Sequence, residues 1–245
     1  MPDEPRLGII VPVYNEAENI GNTLLAIAQK VRTSHRVYIV YDFDEDNTLP
    51  VARSFDGKGT VIRFVKNEAR GVVNAIKLGL RAAEEEFRLV TMADMSDDYA
   101  TVDAMCGLMD EGFDVVCGSR YMTGGGQVGG PLIKKTISRL AGVSLKFLGG
   151  LPTHDVTNSF KLYRRNVIEA LQIESDGGFE IGMEIVVKAH FRGFRVTEVP
   201  TVWTDREKGE SRFKIVKWAP KYLRWYLYAM KKNLTGYPRK EDLKR

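Results

Sequence analysis

Five short runs rich in β-branched residues recur every 24 to 29 positions through the first half of this chain, each followed by a segment with helical or acidic-turn character. They are LGIIVPVY (7–14), RVYIVY (36–41), TVIRFV (60–65), FRLVTMA (87–93) and DVVCGSR (114–120). Continuous apolarity, rather than strict alternation, marks strands covered on both faces. After the first run, Ile20, Leu24, Ile27, Ala28 and Val31 repeat at helical spacing. This alternation predicts an α/β fold whose mostly parallel sheet is flanked by helices. Ligands of such sheets gather beyond the carboxyl ends of the strands. The candidate clusters lie there: Tyr14, Asn15 and Glu16; Asp42, Phe43 and Asp44; Asp94 to Asp98, with Ser96 and Asp97 among them; Ser119 and Arg120.

Beyond Arg120 the pattern changes. YMTGGGQVGGP (121–131) is a glycine-rich loop, either a lid or a plain connector, and it lacks the G-x-G-x-x-G spacing of a dinucleotide fingerprint. Pro131 is placed to open a helix. The segment LPTHDVTNSFKLYRR (151–165) reads as a polar connector, and FRVTEVPTVW (194–203) as strand-like. Charge divides the chain in two. Residues 206–245 hold 13 Lys/Arg against 4 Asp/Glu, whereas the remainder holds 23 against 28. We therefore expect one domain, 1–212, and a basic, aromatic-rich appendage, 213–245, that meets an anionic partner. On a helical wheel Lys214, Lys217, Lys221 and Arg224 fall on one side of that appendage, and Ile215, Trp218, Tyr222, Trp225 and Tyr226 on the other. Such a helix suits a membrane interface or packs its aromatic face on the protein body; Pro220 divides the segment or starts a second helix. Without a nucleic-acid module upstream, nucleic acid is not expected as a partner. Two cysteines without ligand spacing, no leader-like N-terminus and no apolar run of membrane-spanning length point to a cytoplasmic protein, peripheral on the inner face of the membrane.

Several segments, in this order, resemble the family 2 glycosyltransferases, whose fold is called GT-A. IIVPVYNEAENI (9–20) is similar to their opening strand, and an acidic turn follows the second strand, an acidic site the fourth and GSRY (118–121) the fifth. THDVTNSFKLYRR (153–165) and EVPTVWTDREKGESRF (198–213) resemble segments of polyprenyl-phosphate sugar transferases of the dolichol-phosphate mannose synthase type. The resemblance implies inverting transfer of a hexose, of mannose or glucose type, from a GDP- or UDP-sugar to a polyprenyl phosphate. It implies that Pro12, Tyr14 and Glu16 contact the nucleotide, that Asp42 reads the base, and that Asp94 serves Mg²⁺ or Mn²⁺; on chemical grounds Ser96, Asp97 or Asp98 would supply a further metal ligand. Arg120 and Arg206, with Arg139, Ser211 and Arg212, would seat the acceptor phosphate.

Physical chemistry bears on these roles. A diphosphate leaves only if its charge is neutralised by a divalent ion or by Lys/Arg. A phosphate monoester needs no general base, because its second ionisation lies near pH ~6, but it needs cations to hold its oxygens. A sugar hydroxyl would need a base; Asp155, Asp205 and His154 are the candidates for that alternative, a transferase of cell-surface polysaccharide assembly. Glu16 could instead cap the following helix, and Asp97 and Asp98 could cap the helix after the acidic site. Two departures from the family pattern stand out. In VYDFDEDNT (40–48) Tyr41 replaces the first acid, and in MADMSDD (92–98) Met92 occupies the place of the first Asp of a D-x-D pair. A thioether is a poor ligand for a hard cation, so a nucleotide-sugar-binding protein without turnover is the third reading.

Overall fold

The computed structural model describes residues 4–55, 57, 60–206 and 215–236. Strand β1 (Leu7–Pro12) is buried along its whole length. Parallel to it run β2 (His35–Tyr41) on one side and β4 (Phe87–Val90) on the other, with β3 (Val61–Lys66) beyond β2. Successive β1 residues serve opposite faces, as the pleat requires. Ile9 and Val11 join the core under α1 (Ala17–Lys30), α2 (Thr48–Arg53) and α4 (Val102–Asp110). Ile10 joins the other core, under α3 (Val72–Ala82), α6 (Arg165–Ala170) and α7 (Glu180–Phe191). Helix α3 sits so close that a Cβ on Gly79 would lie 2.4 Å from Ile10 and 3.0 Å from Val40.

The seven-stranded sheet has the order β3-β2-β1-β4-β7-β5-β8, with β5 (Val115–Ser119) parallel to β8 (Val196–Pro200). Between β4 and β5 lies β7 (Lys161–Arg164), antiparallel to both. The sequence reading took this stretch for a connector, since KLYR carries two cations. Lys161 is wholly buried and donates to the Val156 carbonyl at 3.2 Å, and burial pulls its ammonium below the ordinary value. Being antiparallel, β7 begins at the carboxyl edge of its neighbours, so the segment that precedes it is delivered there.

The glycine-rich loop forms β6 (Gly126–Val128), which pairs in parallel with β9 (Val202–Thr204) as a separate ribbon. Pro131 stands just before α5 (Leu132–Phe147). Among the described residues the appendage forms helix α8 (Ile215–Leu234), with Pro220 inside it rather than dividing it. Its aromatic face is turned inward: Trp218 and Trp225 are buried, Trp225 Nε1 donates to Ser175 Oγ at 3.2 Å, and Tyr226 donates to Ser144 Oγ of α5 at 3.1 Å. Among the described residues no helix is long and apolar enough to cross a membrane.

Candidate active site

A cleft of about 1020 Å³ opens where the carboxyl ends of β1, β2, β4 and β5 meet the β6–β9 ribbon, α5 and α8. At its first end Pro12 closes β1, and Tyr14 stands edge-on to Phe43 with ring centroids 5.3 Å apart, a flat apolar wall at the cleft. The loop after β1 is held by the loop after β2. Asn15, at φ 55°, donates its N–H to Asp46, and the Glu16 N–H is accepted by Thr48 Oγ1 at 2.8 Å. Glu16 occupies the N-cap position of α1, yet its side chain caps nothing. Its carboxylate accepts from Asn19 Nδ2 at 2.8 Å and faces Arg206 at 3.7 Å. Asp42 also lines the cleft; its two oxygens accept from Asn67 Nδ2 at 2.7 Å and from the Gly71 N–H at 2.8 Å, which fixes the turn into α3.

The acidic cluster after β4 separates into three environments. Asp94 faces the cleft: Oδ1 accepts from Ser96 Oγ at 2.6 Å and Oδ2 pairs with Arg206 Nη2 at 2.6 Å. Asp97 turns inward and accepts from Thr91 Oγ1 at 2.8 Å and from the Met92 N–H at 3.4 Å. Burial, and then the charge of Asp94, push its carboxyl up to about 7. Asp98 caps a short 3-10 turn through the Ala100 N–H at 3.1 Å. Met92 lines the cleft where a carboxylate was expected, and no described group of three or more His, Cys, Asp or Glu side chains is placed to hold a metal. Asp94 with Ser96 fits a hard cation only if that cation takes its other oxygens from a bound diphosphate and water, a habit of Mg²⁺ sites.

At the end of β5, Arg120 is gripped on several sides. It pairs with Asp155 at 2.6 and 2.9 Å and donates to Ser138 Oγ and Thr157 Oγ1 at 3.1 Å each. Burial alone would raise the Asp155 carboxyl, but Arg120 holds it below the ordinary value. That pairing suits a fixed anchor better than a proton acceptor. His154 is bound through Nδ1 to Glu198 at 2.6 Å and does not line the cleft, whereas Asp205 does. Lys134 and Lys135 of α5 line the wall; Arg139 is exposed on the same helix and is not part of the lining. Ser211 and Arg212 lie outside the described residues. Beyond these cations the cleft becomes apolar, walled by Ile137, Ala141, Phe179, Met183, Tyr222 and Leu223 between α5 and α8.

The sequence profile described as Glycosyl transferase family 2 matches residues 8–172, which run from β1 through α6 and take in every cleft strand but β9. The chain belongs to glycosyltransferase family 2. Two curated members of related function are 28% identical to it. One is the dolichol-phosphate mannosyltransferase of Pyrococcus furiosus, aligned over 85% of this chain; the chain spans 59% of that protein's length. The other is the polyprenol monophosphomannose synthase of Mycolicibacterium smegmatis, aligned over 86% of this chain and 85% of that protein. Among solved structures, glucosyl-3-phosphoglycerate synthase from Mycobacterium tuberculosis, in complex with Mn²⁺, UDP-glucose and phosphoglyceric acid, shares the fold. Its TM-score is 0.68 at 14% identity, over 96% of this chain and 82% of that one.

Within this family 2 framework, the sequence reading missed Arg70, Lys134, Lys135 and Ser138, all of which line the cleft. The two lysines had a signal available: they stand one turn into a helix whose start Pro131 announced. Ser138 had none, since its importance comes from touching Arg120, 18 positions away.

Proposed function

We propose that the protein transfers a hexosyl group from a nucleotide sugar to a polyprenyl phosphate at the cytoplasmic surface of a membrane. One observation carries this reading: a single cleft passes from a carboxylate-lined end, past a cluster of cations, into an apolar passage between α5 and α8. A soluble sugar acceptor would have no use for that passage; an isoprenoid chain attached to a phosphate would use both parts. The family membership and the two relatives named above support the same reading.

In this mechanism Tyr14 and Phe43 lie against the base, and Pro12, Glu16 and Asp42 shape the nucleotide's seat. Asp94 and Ser96 would hold the divalent ion, Mg²⁺ or Mn²⁺, which when bound neutralises charge on the departing diphosphate. Lys134 and Lys135, with Arg206, face the acceptor phosphate, and Arg120 orders the wall that carries them through Ser138. A phosphate oxygen attacks the anomeric carbon as the bond from that carbon to the diphosphate oxygen breaks. The configuration inverts, and the nucleoside diphosphate leaves with the electron pair. No proton need be removed from the attacking oxygen above pH ~6. Asp155, held ionised by Arg120, accordingly has a structural task.

The test is to incubate the protein with polyprenyl phosphate, Mg²⁺ or Mn²⁺ and radiolabelled GDP- and UDP-hexoses in separate reactions. Label extracted into organic solvent is the expected result, and the active donor names the base and sugar. Label recovered only in water-soluble glycan would move the reading to a hydroxyl acceptor, with Asp205 as the base that lines the cleft. No turnover with any donor, beside measurable nucleotide binding, would leave a binding protein.

A further inference from the structure

The chain holds three tryptophans, and the fold treats one of them differently. Trp218 and Trp225 of α8 are buried, the first edge-on to Phe179 with ring centroids 5.4 Å apart, the second hydrogen-bonded to Ser175. Trp203, at the centre of β9, stays partly exposed and lines the cleft. Successive residues of a strand face opposite sides. Val202 and Thr204 are accordingly exposed, whereas Trp203 and Asp205 both line the cleft. Asp205 continues the alternation past the end of β9, its N–H donating to the Val128 carbonyl at 2.9 Å. On the paired strand Gln127 stands opposite Trp203. The indole abuts Gly130, where φ is 76° and a Cβ would lie 3.3 Å from Cζ3, so this glycine makes room for the ring.

Two hydrogen bonds set Trp203 between the charged parts of the cleft. One residue on, the Thr204 N–H donates to the Ser96 carbonyl at 3.0 Å, which ties β9 to the loop that carries Asp94. Across the ribbon, the Gln127 carbonyl accepts from Lys135 Nζ at 3.3 Å, which ties β6 to the cations of α5. In the proposed reaction the donor diphosphate sits by Asp94 and Ser96, and the acceptor phosphate by Lys134 and Lys135. The hexose must lie between them, since its anomeric carbon is joined to one and attacked by the other. A hexose is uncharged, so no ion pair can select it. Its ring offers an apolar face of C–H bonds that fits against an aromatic surface, and hydroxyls at its edge that donate to a carboxylate. Trp203 and Asp205, two positions apart on one side of the ribbon, supply that combination. Asp205 Oδ1 accepts from the Arg206 N–H at 3.1 Å, and a carboxylate has room for further donors.

We infer that Trp203 and Asp205 form the hexose subsite, the indole stacked on the C–H face of the transferred sugar and the carboxylate accepting from its hydroxyls. The β6–β9 ribbon then selects the sugar, while the Tyr14 and Phe43 wall takes the base. This assignment deepens the function proposed above and rests on it.

The test titrates the full chain and its variants by calorimetry with Mn²⁺ present, using GDP, UDP, GDP-mannose, GDP-glucose and UDP-glucose as probes. The native chain should bind one nucleoside diphosphate and a sugar conjugate of it. Trp203→Leu should bind the conjugate at least about tenfold more weakly, while its affinity for the bare nucleoside diphosphate moves by less than about twofold. Trp203→Phe keeps an aromatic face and should recover most of the loss. Asp205→Asn should weaken the conjugate alone by about fivefold. Equal effects on both ligands, or none on either, overturn the assignment of the residue concerned. The native protein gives a second readout that no folding defect can blur. With Trp218 and Trp225 buried, acrylamide quenching of tryptophan fluorescence reports chiefly on Trp203, and saturating conjugate should suppress it more than saturating nucleoside diphosphate does. Equal quenching under the two ligands overturns the stacking. A native chain that binds none of the conjugates overturns the nucleotide-sugar reading itself. One that binds a conjugate, with Trp203→Leu unchanged in its discrimination, overturns the subsite alone.

Discussion

Arg206 stands where two carboxylates converge, 2.6 Å from Asp94 and 3.7 Å from Glu16. With Met92 in place of a second acid, the guanidinium and a divalent ion would compete for the same carboxylate oxygen. Asp94→Asn is therefore expected to cut transfer at least about a hundredfold and to weaken Mn²⁺ binding. Arg206→Gln should also impair transfer, yet tighten Mn²⁺ binding without nucleotide by about fivefold, roughly 1 kcal/mol. Electron paramagnetic resonance titration of free Mn²⁺ reads the difference. Arg120→Ala removes the partner of a fully buried carboxylate and should cost about 3–5 kcal/mol in urea unfolding at neutral pH. Because the folded Asp155 carboxyl is held low, its contribution is complete above the ordinary value of about 4 and is lost as pH falls through the folded value beneath it. Stability of an Asp155→Asn variant should thus fall less steeply than that of the native chain below about pH 4. At this level the sequence showed which residue types gather after each strand. It could not show that Asp94, Asp97 and Asp98 point to cleft, core and helix end, because the irregular backbone between them, with Met95 at φ 61°, decides that.

Strands β1, β2, β4 and β5 were legible because burial on both faces leaves largely apolar runs; β3, at the sheet edge and partly exposed, was legible from its β-branched and aromatic residues. Strand β7 was not, since two cations in four residues read as solvent-facing, whereas Lys161 meets the Val156 carbonyl just before the strand and Arg164 meets Glu86 and the Met109 carbonyl far back along the chain. Helix α8 was legible as amphipathic, but its second apolar stripe of leucines was hidden behind the more conspicuous aromatic one. The seating of α5 is testable with two glycines. Gly142→Ala would drive a Cβ into the His154 carbonyl, displacing a helix that bears Lys134 and Ser138. A loss of about 1–3 kcal/mol and a raised KM for the acceptor are expected. Gly107→Ala in α4 meets nothing within 4 Å and should stabilise by about 0.5–1 kcal/mol. Parallel thermal melts of the two variants check both signs.

For the molecule as a whole, charge and apolar surface coincide on one side. The 23 Lys/Arg and 28 Asp/Glu of residues 1–205 leave that part net acidic, so under the function proposed above the basic helix α8 would turn the rest away from an anionic bilayer. On that function, attachment to anionic phospholipid vesicles should weaken severalfold as salt rises from about 0.05 to 0.5 M, while transfer to a short, water-soluble isoprenyl phosphate stays nearly constant; a salt series in both assays checks this. The placement of β7 has a further consequence, for biosynthesis. Val90 of β4 pairs with Lys161, about 70 positions later, so the β3-β2-β1-β4 half of the sheet can form on the ribosome while the outer edge of β4 is still bare. Strand β5 cannot cover it, since it pairs with β7 and β8 instead. Until Lys161 to Arg164 emerge, the nascent chain carries an apolar, unpaired strand edge, which makes this interval its most aggregation-prone moment.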